Sequence, residues 1–331
     1  MVKKPDIINV RKTGFSAFFK RSWMLYLMLL LPIAFFAIFR YVPMTNIVIA
    51  FKEYNMFRGV WASGDPLCNG NITGVHTTGC SHWVGFDWFN RAFASRDFWL
   101  AIRNTLWLNF LDLLIGFPAP IILALLLNEL VFKRYKKFTQ TVIYLPHFLS
   151  WIIISSMATR LLAPTTGIVN LFLVDTFGIG PVDFLMDKSN WIATYITFGV
   201  WKEMGWGTII YLAAITGINP ELYEAAEVDG AGRWRKLWHI TLPGIRATII
   251  VLLIMNIGRI LGIEFDRPYV MGNTMVRDVA DVLSTLVYRW GIRSFQFSLT
   301  SAIGLFQSVI CVIFLVAANS FAKKFGERGI W

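Results

Sequence analysis

Ile218-Asn-Pro-Glu-Leu-Tyr-Glu-Ala-Ala-Glu-Val-Asp-Gly-Ala-Gly-Arg-Trp-Arg-Lys-Leu-Trp-His-Ile-Thr-Leu-Pro243 carries more local instruction than any other stretch of this 331-residue chain. Asn219 can cap a helix, and Pro220 loses nothing at the first helical position, where its missing N–H would have no partner anyway. Glu221 and Glu224 fall in the first turns, where the helix dipole favours negative charge. Gly230 and Gly232 end the run, and Arg233, Arg235 and Lys236 follow. The stretch therefore reads as a short helix, Glu221 to Ala231, stopped on both sides by its own sequence. At helical spacing Leu222, Ala225, Ala226 and Asp229 share one side, and the paired alanines make a low patch on which another surface can dock closely. A loop helix packed on its own domain would show the same amphipathic pattern.

What surrounds this helix is strongly apolar. Hydrophobic residues make up 56% of the chain, charged ones 15%, and the mean hydropathy is +0.56. A soluble domain carries about a quarter of its residues charged, so the composition excludes that class and points to an integral membrane protein. Six apolar stretches approach the length needed to cross the hydrocarbon: Trp23 to Val42, Thr105 to Leu130, Thr141 to Leu162, Trp191 to Ile215, Ala247 to Ile263, and Leu299 to Phe321. The expected fold is all-α, with about six transmembrane helices and both termini on one side. The first stretch lacks a small-residue cleavage site and reads as a retained span.

The basic residues give the orientation. Lys3, Lys4, Arg11, Lys12, Lys20, Arg21, Lys133, Arg134, Lys136, Lys137, Arg233, Arg235, Lys236, Arg246, Lys323, Lys324 and Arg328 account for 17 of the 31 lysines and arginines, all in short segments beside the stretches. The opposite loops are longer and mix their basic residues with Asp and Glu. Cytoplasmic N- and C-termini follow. The formal charge of +11 is then mostly topology, and no nucleic-acid-binding motif accompanies it. The expected organisation is a cytoplasmic segment over 1–22 and a transmembrane domain over 23–331, with a periplasmic loop over 43–98 and a cytoplasmic loop over 217–246 that contains the short helix. Cys68 and Cys80 fall in the periplasmic loop, where a disulfide or two unpaired thiols both fit; a bond would contribute about 3 kcal/mol by chain entropy. Cys311 lies inside the last stretch as a small apolar residue.

Glu224-Ala225-Ala226, Asp229-Gly230-Ala231, Ile240 and Leu242-Pro243 resemble, in order and spacing, the cytoplasmic signature of permeases of binding-protein-dependent ABC importers. Leu237 stands where that family usually has an aromatic, and Ala247 where a proline is frequent. The run from Trp83 to Asn90 and from Phe98 to Thr105 is similar to the sugar permeases of the maltose type. Trp23 to Tyr54, Trp201 to Trp206, and Asp278 to Arg289 look like the polysaccharide branch, which includes alginate importers. The resemblance covers nearly the whole chain. It implies a type I importer permease fold in the bacterial inner membrane, a second homologous permease, two ATPase subunits that use ATP and Mg, a periplasmic or lipid-anchored solute-binding protein, and a sugar substrate. It also implies that Glu221, Leu222, Glu224, Ala225, Ala226, Asp229, Gly230 and Ala231 form the element that couples to the ATPase.

The chain cannot power itself. No Gly-Lys dipeptide occurs, so the phosphate-cradling loop G-x-x-x-x-G-K-[ST] is absent, and no cofactor is expected on this chain. Polar groups inside spans are costly and tend to face a cavity or another helix. Candidates for the substrate path are Trp201, Lys202, Trp206, Asn256 and Arg259, with Asn109, Asp112, Glu203 and Glu264 as further intramembrane polar groups. Tryptophan can stack on the apolar face of a sugar ring, although it is also common at membrane interfaces, and Lys202 and Glu203 can simply pair. Arg259 and Lys202, with Arg267 and Arg277 read as outside residues, leave room for an acidic sugar. The four histidines are scattered and suit neither a zinc site nor a nucleophile pair. Two rival classes remain: a gradient-driven secondary transporter, which should show repeated halves and buried acidic ion sites, and a membrane enzyme with clustered catalytic carboxylates.

Overall fold

A computed structural model of the chain describes residues 15–54, 56, 60, 83–262, 264–324 and 329, with side chains from Trp23 onward. It divides into two compact units, Met1–Gly85 and Phe86–Trp331. In the first, helix α1 (Phe15–Phe36) continues through a wider turn at Ala37–Tyr41 and a tighter one at Thr45–Phe51. The apolar run over Trp23–Phe51 is 29 residues long and none of its most apolar window is buried by the chain itself. A helix that is apolar all round and uncovered needs lipid or a partner as its solvent. The expected end at Val42 is therefore too early: helix occupies the first part of the stretch read as a loop. Phe51 stacks on Trp83 at 5.7 Å between ring centres, beside a single bridge between Lys52 and Trp83. Cys68 and Cys80 lie outside the described residues.

The second unit is a helical bundle. Its elements are α2 (Asp87–Ala94), α3 (Arg96–Leu111), α4 (Pro118–Asn128), α5 (Lys133–Tyr144), α6 (Trp151–Leu161), α7 (Ile168–Phe177), α8 (Lys188–Thr216), α9 (Pro220–Val228), α10 (Arg233–Lys236), α11 (Arg246–Ile257), α12 (Asp266–Met271), α13 (Arg277–Ala280), α14 (Leu283–Val287) and α15 (Phe297–Lys324). Among the described residues three helical runs are long and apolar enough to cross a membrane alone: Trp23–Phe51, Arg96–Asn128 and Phe297–Lys324. Two bent pairs raise the number to at most five. The remaining apolar stretch, Trp191 to Ile215, falls in α8, 29 residues long, with Lys202 and Glu203 at its middle.

Two of the expected spans are bent. Thr141 to Leu162 is not one helix, because α5 and a tight turn at Leu145–Phe148 meet α6 at 100°. Pro146 removes a backbone donor there, and Ser150 caps the new helix by accepting from the Ile153 N–H at 3.3 Å. Likewise the segment Arg233–Gly244 meets α11 at 57°.

Three apolar clusters hold the bundle. Trp191, Tyr195 and Ile196 of α8 pack with Trp151 and Ile154 of α6 and with Met271, Val276 and Val282. Phe98 and Ala101 of α3 pack with Leu283, Leu286 and Ile303. Ala124 of α4 packs with Tyr211, Ile215 and Ile245. Polar ties close the ends: the Asn104 side-chain amide donates to the carbonyls of Asp278 and Asp281 at 2.8 and 2.9 Å. Lys188, at the start of α8, donates to Asp278 at 2.6 Å, and this hydrogen bond and charge hold the exposed Asp278 carboxyl below the usual carboxylate range.

Buried Asn170 secures the excursion between α6 and α8. Its amide donates to the carbonyls of Leu162, Ala163 and Val182, and its oxygen accepts from the Val182 N–H at 2.8 Å. Asn170→Ala orphans these groups, and the expected loss is about 1–3 kcal/mol. It should appear as a lower Tm of the detergent-solubilised protein; an unchanged Tm would contradict the assignment.

Candidate functional site

Helix α9 has the ends the sequence specifies. Asn219 accepts from the Glu221 N–H at 3.1 Å, with Pro220 at the first helical position. At the other end Gly230, at φ +71°, turns the chain, the Gly230 N–H donates to Glu227 and the Ala231 N–H donates back to Ala226 at 2.8 Å. This paired closure is the motif that favours glycine at the left-handed position. No residue of α9 is fully buried. Glu221, Leu222, Glu224, Ala225, Val228 and Asp229 are exposed, while Tyr223, Ala226 and Ala231 are half-buried. The free face is therefore centred on Leu222 and Ala225 and turned slightly away from Ala226.

The opposite face is braced. The hydroxyls of Tyr223 and buried Thr241 share a hydrogen bond of 2.9 Å, and Lys236 donates to Glu227 at 3.0 Å. Both anchors lie in Arg233–Thr241, the segment that leads into α11. Helix α9 is thus tied by polar contacts to the segment leading into α11.

Half-way along α8 lies a cavity of about 360 Å³. Asn109, Asp112, Glu203, Trp206, Tyr211, Asn256 and Arg267 give it polar and aromatic walls, among Gly199, Pro120, Leu252 and other small or apolar groups. Of the substrate candidates, Trp206 and Asn256 line it. Trp206 stacks on His147 at 4.5 Å between ring centres, nearly parallel. The Asn256 amide bonds its own helix at Leu252. Trp201 packs against the core and the Phe198 ring. Lys202 is buried, donates to the His147 carbonyl at 2.7 Å and stands 3.4 Å from Glu203, bordering a separate pocket with Glu264 and Asp266. Arg259 is exposed and outside the cavity lining.

The sequence reading missed the central polar contact. Arg267 is not an outside residue: it is buried, and its guanidinium grips Asp112 with two hydrogen bonds of 2.8 and 3.2 Å. A third runs to the Tyr195 carbonyl at 2.6 Å. The charge also sits over the Tyr195 ring, 3.6 Å from its centre, and 5.3 Å from Trp151. Room for it comes from Gly199, where any Cβ would occupy the guanidinium's place. Arg277 is not a free cation either, standing 3.9 Å from both Asp97 and Asp281. The only advance signal for Arg267 was the presence of Asp112 within a span, which required a partner.

Residues 116–327 match the family model of the binding-protein-dependent transport system inner membrane component. The chain belongs to this family. It is 45% identical to Protein LplB of Bacillus subtilis (strain 168) over 99% of this chain and 97% of that protein. It is also 45% identical to the polygalacturonan/rhamnogalacturonan transport system permease protein YteP of the same organism, over 93% and 90%. Among solved structures it is similar to a chain of a bacterial alginate ABC transporter in complex with an alginate pentasaccharide-bound periplasmic protein. There the TM-score is 0.82 and the identity 38%, covering 96% of this chain and 100% of that one. The family member is a permease subunit of an ABC sugar importer by these likenesses, with an all-helical type I fold.

The seat of Arg267 generates a double-mutant test. Arg267→Met leaves the Asp112 carboxylate unpaired and should cost on the order of 3 kcal/mol. Gly199→Ala should destabilise by displacing the same guanidinium, and its cost should largely vanish in the Arg267→Met background. Thermal melts of the four proteins measure the coupling; additive losses would show that Gly199 does not serve Arg267.

Proposed function

We propose that this chain is one of two membrane-spanning subunits of an ATP-driven importer that moves oligosaccharides, acidic polysaccharide fragments among them, from an external solute-binding protein into the cytoplasm. The observation that carries this reading is α9: a capped helix with an exposed Leu222–Ala225 face, braced by Tyr223 and Glu227 onto the segment leading into α11, whose Asn256 lines the cavity. With both termini cytoplasmic, the 217–246 loop meets two ATPase subunits. These bind ATP and Mg, and their closure pushes on the free face of α9. The bracing passes the displacement into α11, so that one conformation of the cavity is favoured with nucleotide and another without.

The cavity suits part of a sugar chain. Its volume is in the range of small-molecule sites, and Trp206 and Tyr211 offer apolar faces beside the amides of Asn109 and Asn256. The similarity to YteP and to the alginate transporter supports the acidic polysaccharide class. A gradient-driven transporter would need a titrating carboxylate free to exchange its ion. Here Asp112 is held by Arg267, while Glu203 lies 3.1 Å from His147 and 3.4 Å from Lys202.

The test is on the free face of α9. Ala225→Asp should leave the protein folded and its Tm unchanged, yet abolish stimulation of ATP hydrolysis by loaded binding protein in the assembled complex. Tyr223→Phe should preserve assembly and lower the sugar transported per ATP. Normal stimulation and uptake in the Ala225→Asp complex would mean that α9 is not the ATPase contact.

A further inference from the structure

At the far end of α8 from α9 lies a second cavity, of about 280 Å³, whose walls include Tyr269, Asn273, Tyr288, Arg289 and Arg293. The 29 residues of α8 span about 43 Å at 1.5 Å each, more than the hydrocarbon thickness. Lys188, at the start of α8, holds Asp278 beside this cavity, and Thr216, at its end, leads into α9. With α9 on the cytoplasmic side, the second cavity is external.

Its charges are not balanced. Arg289 takes Asp281 at 2.5 Å and Asp97 at 3.2 Å, and Arg277 shares the same two carboxylates. Two arginines on two aspartates are neutral. Arg293 is the surplus: it is exposed, donates to the Tyr269 hydroxyl at 3.1 Å, lies 5.5 Å from the centre of the Tyr288 ring, and has no carboxylate partner among the described residues. Beside it Phe265, Tyr269 and Tyr288 form a cluster with ring centres 4.6 to 5.2 Å apart. Just beyond it Phe295 adopts φ 56°, a backbone rarely held by a bulky residue except where surrounding structure imposes it. A concave site with aromatic faces and one guanidinium that has no carboxylate partner among the described residues has the chemistry of an acidic sugar: tyrosine for the C–H face and guanidinium for the carboxylate.

We propose that this external cavity is a uronate subsite, in which Arg293 pairs with the carboxylate of an oligosaccharide before the chain enters the membrane cavity. The inference rests on the reading of the complex as an importer of acidic oligosaccharides. A lipid headgroup would satisfy Arg293 but has no sugar ring to lay against the tyrosines.

The complex of this chain with its partner permease and ATPases, in phosphatidylcholine nanodiscs without ATP, is titrated with tetragalacturonate and with its methyl ester. Arg293→Gln should weaken tetragalacturonate binding by about tenfold, the scale of a lost charge-assisted hydrogen bond, and leave the ester unchanged. Tyr269→Leu, which keeps the guanidinium, should weaken both. Wild-type binding of both sugars by Arg293→Gln, no binding by the wild type, or complete displacement by phosphatidylglycerol in the discs would each overturn the subsite. Uptake in proteoliposomes separates the two claims. Binding at Arg293 without uptake of uronates sinks the substrate reading alone, whereas uronate uptake with an indifferent Arg293→Gln variant sinks the subsite alone.

Discussion

A guanidinium buried in a membrane domain constrains everything around it. Arg267 needs a carboxylate to neutralise it, a carbonyl to accept a further N–H, and space in the flank of a helix. Asp112, at the end of α3, and the Tyr195 carbonyl and Gly199, both in α8, meet these needs. Removing any one leaves a charge or a donor stranded in low dielectric, where the penalty is far larger than at a surface. The pair also closes the cavity wall between Asn109 and Gly199, so α3, α8 and the segment entering α12 meet at the same point that bounds the proposed sugar path.

From that point the architecture extends in two directions along α8. Toward its start, Trp191 and Tyr195 pack with α6 and the short helices, and ionic ties from Lys188 and Arg289 gather the loop ends. Toward its end, Tyr211 and Ile215 pack with Ala124 and Ile245, beneath the segment that braces α9. The broken helix of α5 and α6 brings His147 against Trp206 at the cavity. Bends of this kind are tolerated in a membrane only where neighbouring helices re-satisfy the freed backbone groups. Lys202 does so here, donating to the His147 carbonyl at 2.7 Å.

Local physics was legible in the sequence and tertiary pairing was not. Asn219, Pro220 and Gly230 act within a few residues of themselves, and the ends of α9 came out as those residues dictate. The apolar stretches gave the class because hydropathy is additive. Pro146 and the Ser150 cap are local signals for a break between α5 and α6, but local signals do not give its angle of 100°. Arg267 was misplaced because residues 264–280 carry no helical period long enough to reveal that they fold back into the bundle. Lys202 looked available to substrate because a sequence does not show the carbonyl, 55 residues away, that occupies it.

In the proposed cycle, ATP hydrolysis by partner subunits, transmitted through α9, moves sugar through this domain. Proteoliposomes containing the assembled complex, external binding protein loaded with an oligogalacturonate, and ATP confined to the ATPase side test it directly, with ion gradients clamped to zero. Uptake should require ATP and loaded binding protein together. Uptake without ATP under an imposed proton or sodium gradient, or failure of any ATPase to associate with this chain, would contradict it.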